Sequence, residues 1–327
     1  MECEQLLRID EPDCGLRGYI AIHSTRKGPA FGGTRISGYD SEDLARADAV
    51  RLARAMTYKA AAAELPCGGG KAVLFRPPAE LRERALERYG EIVAALGGRF
   101  FTGGDVGITP TDLQIVARRA PAADESDPRV GDINELTAIG VSHAMRACLD
   151  FAGRRRARIA IQGLGKVGMH LARILHRQQY ELLVADLDAK RVAAAVEELG
   201  ATGIPIEEIH SADCDVFAPC ALGGVLNSRT IPQVRAAIVC GCANNQLADV
   251  GDAERLRVRN ILYTPDYVVN AGGLIRGVEW YLLRIPDSLP SIAKIYTRTL
   301  HILKTAAREQ RTTAAVADAI AESFLAS

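Results

Sequence analysis

The chain has 327 residues, of which 48% are hydrophobic and 24% are charged, with 40 lysines and arginines against 40 aspartates and glutamates. This length predicts about two domains with a large core, and the balanced charge argues against a nucleic-acid partner. No apolar run approaches the roughly 18 residues of a membrane span, and the N-terminus lacks a secretory-signal pattern, so we expect a cytoplasmic protein with no membrane partner.

The first predicted domain covers residues 1–133 and mixes strand and helix patterns, as in an α/β fold. Residues 15–25 are predicted to form a strand, and residues 28–35 to form a glycine-rich loop. Ser41 is a good N-cap for a helix. Apolar residues at helical spacing extend this helix, so that Lys59 lies near its end, in an alanine-rich run.

A second lysine and an aspartate follow further along this domain. Lys71 comes directly after three glycines, 68–70, and opens a predicted strand over 72–75. A helix is predicted over about 80–96, where it stops at a pair of glycines. Asp105 then lies among glycines, in a predicted loop that would bring its carboxylate close to another group.

The segment from Pro121 to Asp132 is rich in Pro, Asp and Ala and is the predicted linker to a second domain over 134–302. There, apolar runs alternate with helical segments, which is typical of a doubly wound parallel sheet. The predicted strands are 158–162, 181–185, 214–218, 236–240 and 260–263. The helical segment over about 303–327 is expected to pack back on the first domain.

A glycine-rich turn follows the first strand of the second domain. Gly163, Gly165 and Gly168 have the spacing that allows a tight turn, a close approach to a pyrophosphate and close helix–strand packing. Asp186 ends the next strand, where its carboxylate can bind ribose hydroxyls and would repel a 2′-phosphate, which favours NAD over NADP. The alternative is a tight turn without a ligand. The predicted cofactor contacts in the turn are Gly163, Leu164, Gly165, Lys166, Val167 and Gly168.

The eight cysteines are expected to be free thiols, because a chain of this length without a secretory signal seldom relies on disulfides. Cys240 and Cys242 are separated by one residue, which is the wrong spacing for the Cys-x-x-Cys pair of a redox or zinc site. We therefore expect no bound metal.

Lys59 and Lys71 could together form a site for an anionic substrate. Two ammonium groups close together disfavour each other's charge, and desolvation adds to this effect. One lysine would then stay cationic and bind a carboxylate, while the other would titrate near neutrality and act as a base. The alternative is that both are solvated surface charges.

Seven sequence blocks, which occur in order from about residue 15 to 280, resemble the Glu/Leu/Phe/Val dehydrogenases. They are Gly-Pro-Ala-Phe-Gly-Gly-Thr-Arg (28–35), Met-Thr-Tyr-Lys-Ala-Ala (56–61), Gly-Gly-Gly-Lys-Ala-Val (68–73), Gly-Gly-Asp-Val-Gly (103–107), Phe-Ala-Pro-Cys-Ala-Leu-Gly-Gly-Val-Leu-Asn (217–227), Ala-Asn-Asn-Gln-Leu (243–247) and Pro-Asp-Tyr-Val-Val-Asn-Ala-Gly-Gly (265–273). The pattern is most similar to the leucine and phenylalanine dehydrogenases. The resemblance implies an α/β substrate and dimerisation domain, a Rossmann domain and a cleft between them.

The resemblance also implies roles for individual residues. Lys59 would bind the substrate carboxylate, Lys71 would be the general base that activates water, and Asp105 would shuttle protons. The other implied substrate contacts are Phe31, Gly32, Gly33, Gly103, Asn270, Leu274 and Gly277. The other implied cofactor contacts are Cys220, Ala221, Ala243 and Asn244.

The implied reaction is the reversible, NAD-dependent oxidative deamination of an L-amino acid to a 2-oxo acid and ammonia. The α-hydrogen leaves as hydride, water adds to the resulting imine with help from Lys71, and ammonia departs. A homodimer is expected, because the C-terminus is shorter than in leucine-type enzymes, which use it in assembly.

Several pocket positions differ from those of relatives selective for branched aliphatic amino acids. Gly103, Leu274 and Gly277 are typical of a larger pocket, like that of the phenylalanine type. Phe31 replaces the usual leucine and could stack on an aromatic ring. We therefore expect a substrate with a large apolar or aromatic side chain. Arg276 would invite an acidic side chain if it faced the pocket, but we expect it to be a surface charge.

The stretch 131–138 departs from the family pattern Gly-Asn-Pro-Ser-Pro, since both prolines are absent and Asp132 replaces the asparagine. This departure motivates two alternatives. One is a non-catalytic NAD-binding regulator that kept the fold, and the other is a related enzyme that reduces an imine in a biosynthetic pathway. The retained Lys59, Lys71 and Asp105 argue against the regulator, because a binding module needs no base.

Overall fold

The computed structural model describes residues 3–120, 122 and 127–327. Pro121 and residues 123–126, which are part of the predicted linker, lie outside the described residues. The chain divides into two compact units. The first comprises the residues up to Gly131 with 277–286 and 321–327, and the second comprises 132–276 and 287–320.

The first unit contains a mixed sheet with the order β1-β2-β4-β3-β5. Its strands are β1 (Gln5–Glu11), β2 (Leu16–Ser24), β3 (Ala30–Ser37), β4 (Gly68–Phe75) and β5 (Phe100–Gly103). Its helices are α1 (Glu42–Ala62), α2 (Arg82–Ala95) and α3 (Pro110–Ala117). β2 pairs antiparallel with β1 and β4, whereas β3 pairs parallel with β4 and β5. The parallel pairing of β3 and β5 places Gly103, the last residue of β5, beside Gly33 in the middle of β3.

Helix α1 begins and packs as its sequence predicts. The Ser41 side chain accepts a hydrogen bond from the backbone N–H of Leu44, which makes Ser41 the N-cap. Buried alanines on one face of the helix let it lie close to the sheet. At Gly69 a Cβ atom would lie 2.1 Å from the backbone nitrogen of Thr57, so this contact tolerates only glycine.

The prediction of a glycine-rich loop over 28–35 is wrong, because Ala30–Ser37 form strand β3, which lies between β4 and β5. The strand that carries Lys71 also begins earlier than predicted, at Gly68. A Cβ atom at Gly32 would lie 1.8 Å from the carbonyl oxygen of Gly70. The glycines within β3 and β4 therefore serve the close approach of neighbouring chain segments, not a turn.

The second unit has a parallel sheet with the order β11-β10-β9-β6-β7-β8. The strands are β6 (Arg158–Gln162), β7 (Glu181–Ala185), β8 (Thr202–Gly203), β9 (Val216–Pro219), β10 (Ile238–Val239) and β11 (Leu262–Tyr263). This order is that of a doubly wound dinucleotide-binding sheet. The predicted fold class is therefore confirmed, with the short strand β8 added to the five predicted strands.

The remaining helices are α4 (Ile133–Phe151), α5 (Lys166–Arg177), α6 (Ala189–Leu199), α7 (Asp252–Val258), α8 (Asp266–Val269), α9 (Gly272–Val278), α10 (Leu289–Glu309) and α11 (Thr313–Ala326). We expected the segment over about 303–327 to pack on the first domain; residues 321–327 do belong to the first unit, but residues 303–320 belong to the second. The reason is the packing of α10 on α4, where a Cβ atom at Gly140 would lie 2.8 Å from Ile295 Cδ1. Among the described helices, none combines the length and apolarity needed to cross a membrane.

Candidate active site

Lys71 and Asp105 form a close, buried ion pair in the first unit. Lys71 Nζ lies 2.6 Å from Asp105 Oδ2, and Lys71 is only 7% exposed. Lys71 extends from β4, and Asp105 lies in the loop after β5, so the two residues flank strand β3, which lies between β4 and β5. A Cβ atom at Gly33 would lie 2.4 Å from the Gly104 carbonyl oxygen and 3.2 Å from Asp105 Cβ. Glycine in β3 therefore lets the Asp105 loop come close to the sheet.

The charges around this pair favour one base and one anion. Burial lowers the pKa of Lys71, although the attraction of Asp105 opposes this effect. Burial alone would raise the pKa of Asp105, but Lys71 and Arg35 outweigh it and leave that pKa below its ordinary value. A lysine with a lowered pKa is more readily present as the neutral amine, which is the form that accepts a proton.

Lys59 lies in the last turn of α1, as predicted, and is half-buried. α1 packs against β4, the strand that carries Lys71. Gly103 in β5 pairs in register with Gly33 in β3, so two of the implied substrate contacts lie side by side. The assignment of Lys59 to the substrate carboxylate stays a prediction.

An aromatic cluster lies in the same unit. The Phe31 ring stacks on Phe101 with ring centroids 4.8 Å apart, and Phe101 contacts Tyr281 at 5.3 Å. A Cβ atom at Gly277 would lie 3.3 Å from two ring atoms of Phe31. The Phe31 ring therefore lies against the side of Gly277 that a side chain would cover, and the expectation that Gly277 enlarges the pocket stays a prediction. Phe101 and Tyr281 were not predicted to belong to the site, because only their aromatic character marks them in the sequence.

The second unit brings Asn244 and Asn270 together. Asn270 Nδ2 donates to Asn244 Oδ1 at 2.8 Å and to the Cys242 carbonyl oxygen at 3.1 Å. Asn270 is 3% exposed, and its Oδ1 has no hydrogen-bond partner among the described residues. An amide oxygen desolvated in this way can accept a hydrogen bond from a ligand. Ala243 is buried directly before Asn244.

Two further residues near this asparagine pair carry predictions. Leu274 lies on α9 and is 8% exposed. Arg276, on the same helix, is 5% exposed, so the expectation that it is a surface charge is wrong. An arginine is usually exposed, so its residue type alone did not reveal the burial of Arg276 on the helix that also carries Leu274.

The glycine-rich turn has the geometry of a dinucleotide loop. Gly163 follows β6 with φ of +98°, a conformation that favours glycine. A Cβ atom at Gly168 would lie 2.1 Å from the Gly163 carbonyl oxygen, whereas one at Gly165 would meet no atom within 4 Å. The turn is therefore packed at its two ends and open in the middle, where a pyrophosphate would approach the backbone.

Asp186 closes this turn from the end of the neighbouring strand β7. Its Oδ2 accepts a hydrogen bond from the Leu164 N–H at 2.6 Å, and its Oδ1 accepts one from the Asp188 N–H at 2.8 Å. A cavity of about 300 Å³ adjoins the turn, and its lining includes Gly165, Lys166 and Arg191. These residues fit the phosphates and ribose of NAD.

The other predicted cofactor residues surround the turn. Val167 and Lys166 form the first turn of α5, and Cys220 and Ala221 follow β9. A Cβ atom at Gly163 would lie 2.8 Å from Ala221 Cβ. The loop after β9 therefore borders the glycine-rich turn. Within residues 3–120, 122 and 127–327, no group of three or more His, Cys, Asp or Glu side chains could hold a metal ion.

The segment that departs from the family pattern has its own structural role. Asp132 caps α4 by accepting a hydrogen bond from the Asn134 N–H at 2.8 Å. Its other oxygen lies 3.0 Å from His170 Nε2 on α5, the helix that follows the glycine-rich turn. The sequence does not predict this contact, because the two residues are far apart along the chain.

Comparison with known proteins matches both units to one family. Residues 4–121 match the family model described as the Glu/Leu/Phe/Val dehydrogenase dimerisation domain. Residues 180–281 match the model for Glutamate/Leucine/Phenylalanine/Valine dehydrogenase.

Individual relatives agree with the family models over nearly the whole chain. The chain is 39% identical to leucine dehydrogenase of Geobacillus stearothermophilus, over 98% of this chain and 89% of that protein. It is 40% identical to L-tryptophan dehydrogenase of Nostoc punctiforme, over 98% and 92%. The crystal structure of L-tryptophan dehydrogenase from Nostoc punctiforme superposes with a TM-score of 0.85 at 39% identity, covering 99% of this chain and 95% of that one. The chain therefore belongs to the Glu/Leu/Phe/Val dehydrogenase family, as its sequence blocks predict.

Proposed function

We propose that this protein catalyses the reversible, NAD-dependent oxidative deamination of an L-amino acid with a large apolar or aromatic side chain. The products are the 2-oxo acid and ammonia. The observation that carries this function is the buried pair of Lys71 and Asp105, 2.6 Å apart, in a member of an amino-acid dehydrogenase family. A buried ammonium is costly, and a regulator that only binds NAD would gain nothing from it.

The chemistry assigns a distinct task to each member of the pair. Bound NAD supplies the acceptor for the hydride that leaves the substrate α-carbon. Lys71, as the neutral amine, withdraws a proton from the water that adds to the imine carbon. Asp105 takes and returns protons on the nitrogen, so that ammonia leaves from the carbinolamine. One water is consumed, and one ammonium ion and one proton are released for each hydride transferred.

Substrate binding is proposed to use the two ends of the amino-acid backbone. Lys59 would stay cationic and bind the carboxylate, with Gly32 and Gly33 as the adjacent wall. Asn270 would accept a hydrogen bond through its unpaired Oδ1, while Asn244 would contact the nicotinamide. These contacts recognise the part common to all amino acids, so they cannot by themselves select a side chain.

Asp186 is proposed to select NAD over NADP. Asp186→Asn is expected to reduce the preference for NAD, measured as the ratio of kcat/KM values, by about 10- to 100-fold, because hydrogen bonds to charged groups contribute about 1.5–3 kcal/mol. Asp188→Ser is the matched control, since serine can still cap α6, whose first N–H groups Asp188 now caps. An unchanged preference in Asp186→Asn, or an equal change in the control, would contradict this role.

A panel of amino acids tests the function as a whole. NADH formation would be followed by absorbance with phenylalanine, tryptophan, leucine, valine and glutamate. We expect turnover with the apolar and aromatic amino acids, and the weakest turnover with glutamate. Absence of turnover with every amino acid, in protein that still binds NADH, would overturn the proposal and favour the non-catalytic regulator.

The protein is proposed to act as a homodimer. The family model that matches residues 4–121 is described as a dimerisation domain. In the first unit, β1 is an edge strand whose outer backbone groups have no strand partner among the described residues. An edge of this kind is a common site for association between chains.

A further inference from the structure

Arg35 joins two carboxylates in the first unit. It lies on β3, in the block Gly-Gly-Thr-Arg, and its side chain is 25% exposed. Its Nε donates to Asp105 Oδ2 at 3.2 Å, and its NH1 donates to Asp48 Oδ2 at 3.0 Å. The guanidinium thus links the carboxylate of the catalytic pair to a second carboxylate on α1.

The hydrogen bonds to Asp105 hold its carboxylate in one orientation. Oδ2 contacts both Lys71 Nζ, at 2.6 Å, and the Arg35 guanidinium. Oδ1 accepts the backbone N–H of Val106 at 2.7 Å. Both oxygens are therefore used, and rotation of the carboxylate would break at least one charge-assisted hydrogen bond.

Arg35 is itself held from the other side. Asp48 Oδ2 also accepts the Tyr39 hydroxyl at 2.7 Å, and Asp48 Oδ1 accepts Arg51 at 2.6 Å. Burial would lower the pKa of Arg35, but Asp105 and Asp48 raise it, so the guanidinium stays cationic. Tyr39 stays neutral, since burial and Asp48 raise its pKa to about 12.

We propose that Arg35 is a positioning residue for the reaction, which fixes Asp105 as an anion against Lys71 and keeps Lys71 available as a base. The inference rests on the proposed function of the Lys71–Asp105 pair. Without Arg35, the whole attraction of Asp105 would act on the Lys71 ammonium and favour its charged form. With Arg35, the same oxygen serves two cations, and the guanidinium also repels the ammonium.

The charged and titratable groups that the structure places around this pair have known signs. Arg35 disfavours the Lys71 ammonium, whereas Asp105 and Asp48 favour it. Tyr39 donates to Asp48 and also interacts with Arg35, and Arg51 donates to Asp48. Removing Arg35 should therefore raise the pKa of Lys71, and removing the charge of Asp48 should lower it.

Two variants with opposite expected signs test the proposal. Activity falls on the acid side as Lys71 takes up a proton, so a higher pKa moves this limb of the kcat/KM profile to higher pH. Arg35→Gln is expected to move the limb upward by about one pH unit, a shift typical of a nearby charge. Asp48→Asn is expected to move it downward. Arg46→Gln, at an exposed position of α1, is the matched control and should leave it in place.

A conservative variant separates charge from geometry. Arg35→Lys keeps the positive charge but cannot bridge two carboxylates as a guanidinium does. We expect its acid limb to stay near that of the wild type while kcat falls. If Arg35→Gln does not fold, the variants Arg35→Lys and Asp48→Asn carry the test. Limbs that stay in place in both charge-removing variants, or that move in the same direction, would overturn the proposal.

A readout without turnover distinguishes this proposal from the proposed function. The rate at which a small acylating reagent labels Lys71, followed by peptide mass spectrometry across pH, reports the fraction of neutral amine. The labelling profile should shift upward in Arg35→Gln even if no substrate is turned over. If the wild-type protein shows no turnover but Arg35→Gln still shifts the labelling profile, only the dehydrogenase function is contradicted. If the labelling profile of Arg35→Gln does not shift, the role of Arg35 is contradicted.

Discussion

Replacing Lys71 with alanine is expected to lower kcat by about 10²- to 10⁴-fold, the usual contribution of a general base. The variant loses the amine that activates water, and Asp105 loses the cation 2.6 Å from its Oδ2. Arg35 still pairs with Asp105, so the carboxylate keeps one cationic partner and the unit is expected to fold. The measurement is NADH formation at saturating substrate, beside NADH binding as a check on the second unit.

The control for this variant is Lys304→Ala, which removes an exposed lysine of α10. Its turnover should equal that of the wild type. If Lys71→Ala retained turnover within about tenfold of the wild type, a catalytic base at this position would be excluded on the usual magnitude of general-base catalysis. The dehydrogenase activity would then need a different proton acceptor.

Replacing Gly277 with valine is expected to destabilise the protein by about 1–3 kcal/mol, the usual cost of overpacking a filled interior. The first added carbon alone would lie 3.3 Å from two atoms of the Phe31 ring. That ring is 6% exposed and is stacked on Phe101, so it can yield only by giving up the stacking. Thermal unfolding measures the cost.

Phe31→Leu should relieve this conflict, because it removes ring volume where valine needs it. We expect the double variant Phe31→Leu/Gly277→Val to be more stable than Gly277→Val alone, with a coupling of about 0.5–3 kcal/mol in a double-mutant cycle. Its kcat/KM should move toward leucine and away from phenylalanine. Strict additivity of the two changes would show that Phe31 and Gly277 do not share one space.

Much of the fold follows from local sequence patterns. The strands at 158–162 and 181–185 and the capped start of α1 were predictable, because alternating apolar runs and Ser41 report local backbone preferences. Glycine is less informative, since it serves both turns and close contacts between strands. For that reason β3 resembles a loop in the sequence and becomes a strand only when its neighbours are known.

The candidate site divides in the same way. Lys71, Asp105 and the turn at 163–168 belong to short motifs, so their chemistry could be read from their immediate neighbours. The contact of Arg35 with Asp105 and the fit of Phe31 against Gly277 join residues far apart in the chain. Such contacts depend on the register of β3 and its neighbours and on tertiary packing, which no single segment encodes.

The pairing of Asp132 with His170 has a consequence for the start of α4. In relatives with prolines at this point, the backbone is restricted by covalent ring geometry, which is independent of the solution. In this chain a contact between His170 and Asp132, whose side chains are 24% and 44% exposed, takes that place, and it is an ion pair only when the imidazole is protonated. Pairs so accessible to water contribute about 0–1 kcal/mol and weaken as salt is added. When the imidazole is protonated, ionic strength thus tunes how firmly the start of α4 is held to α5.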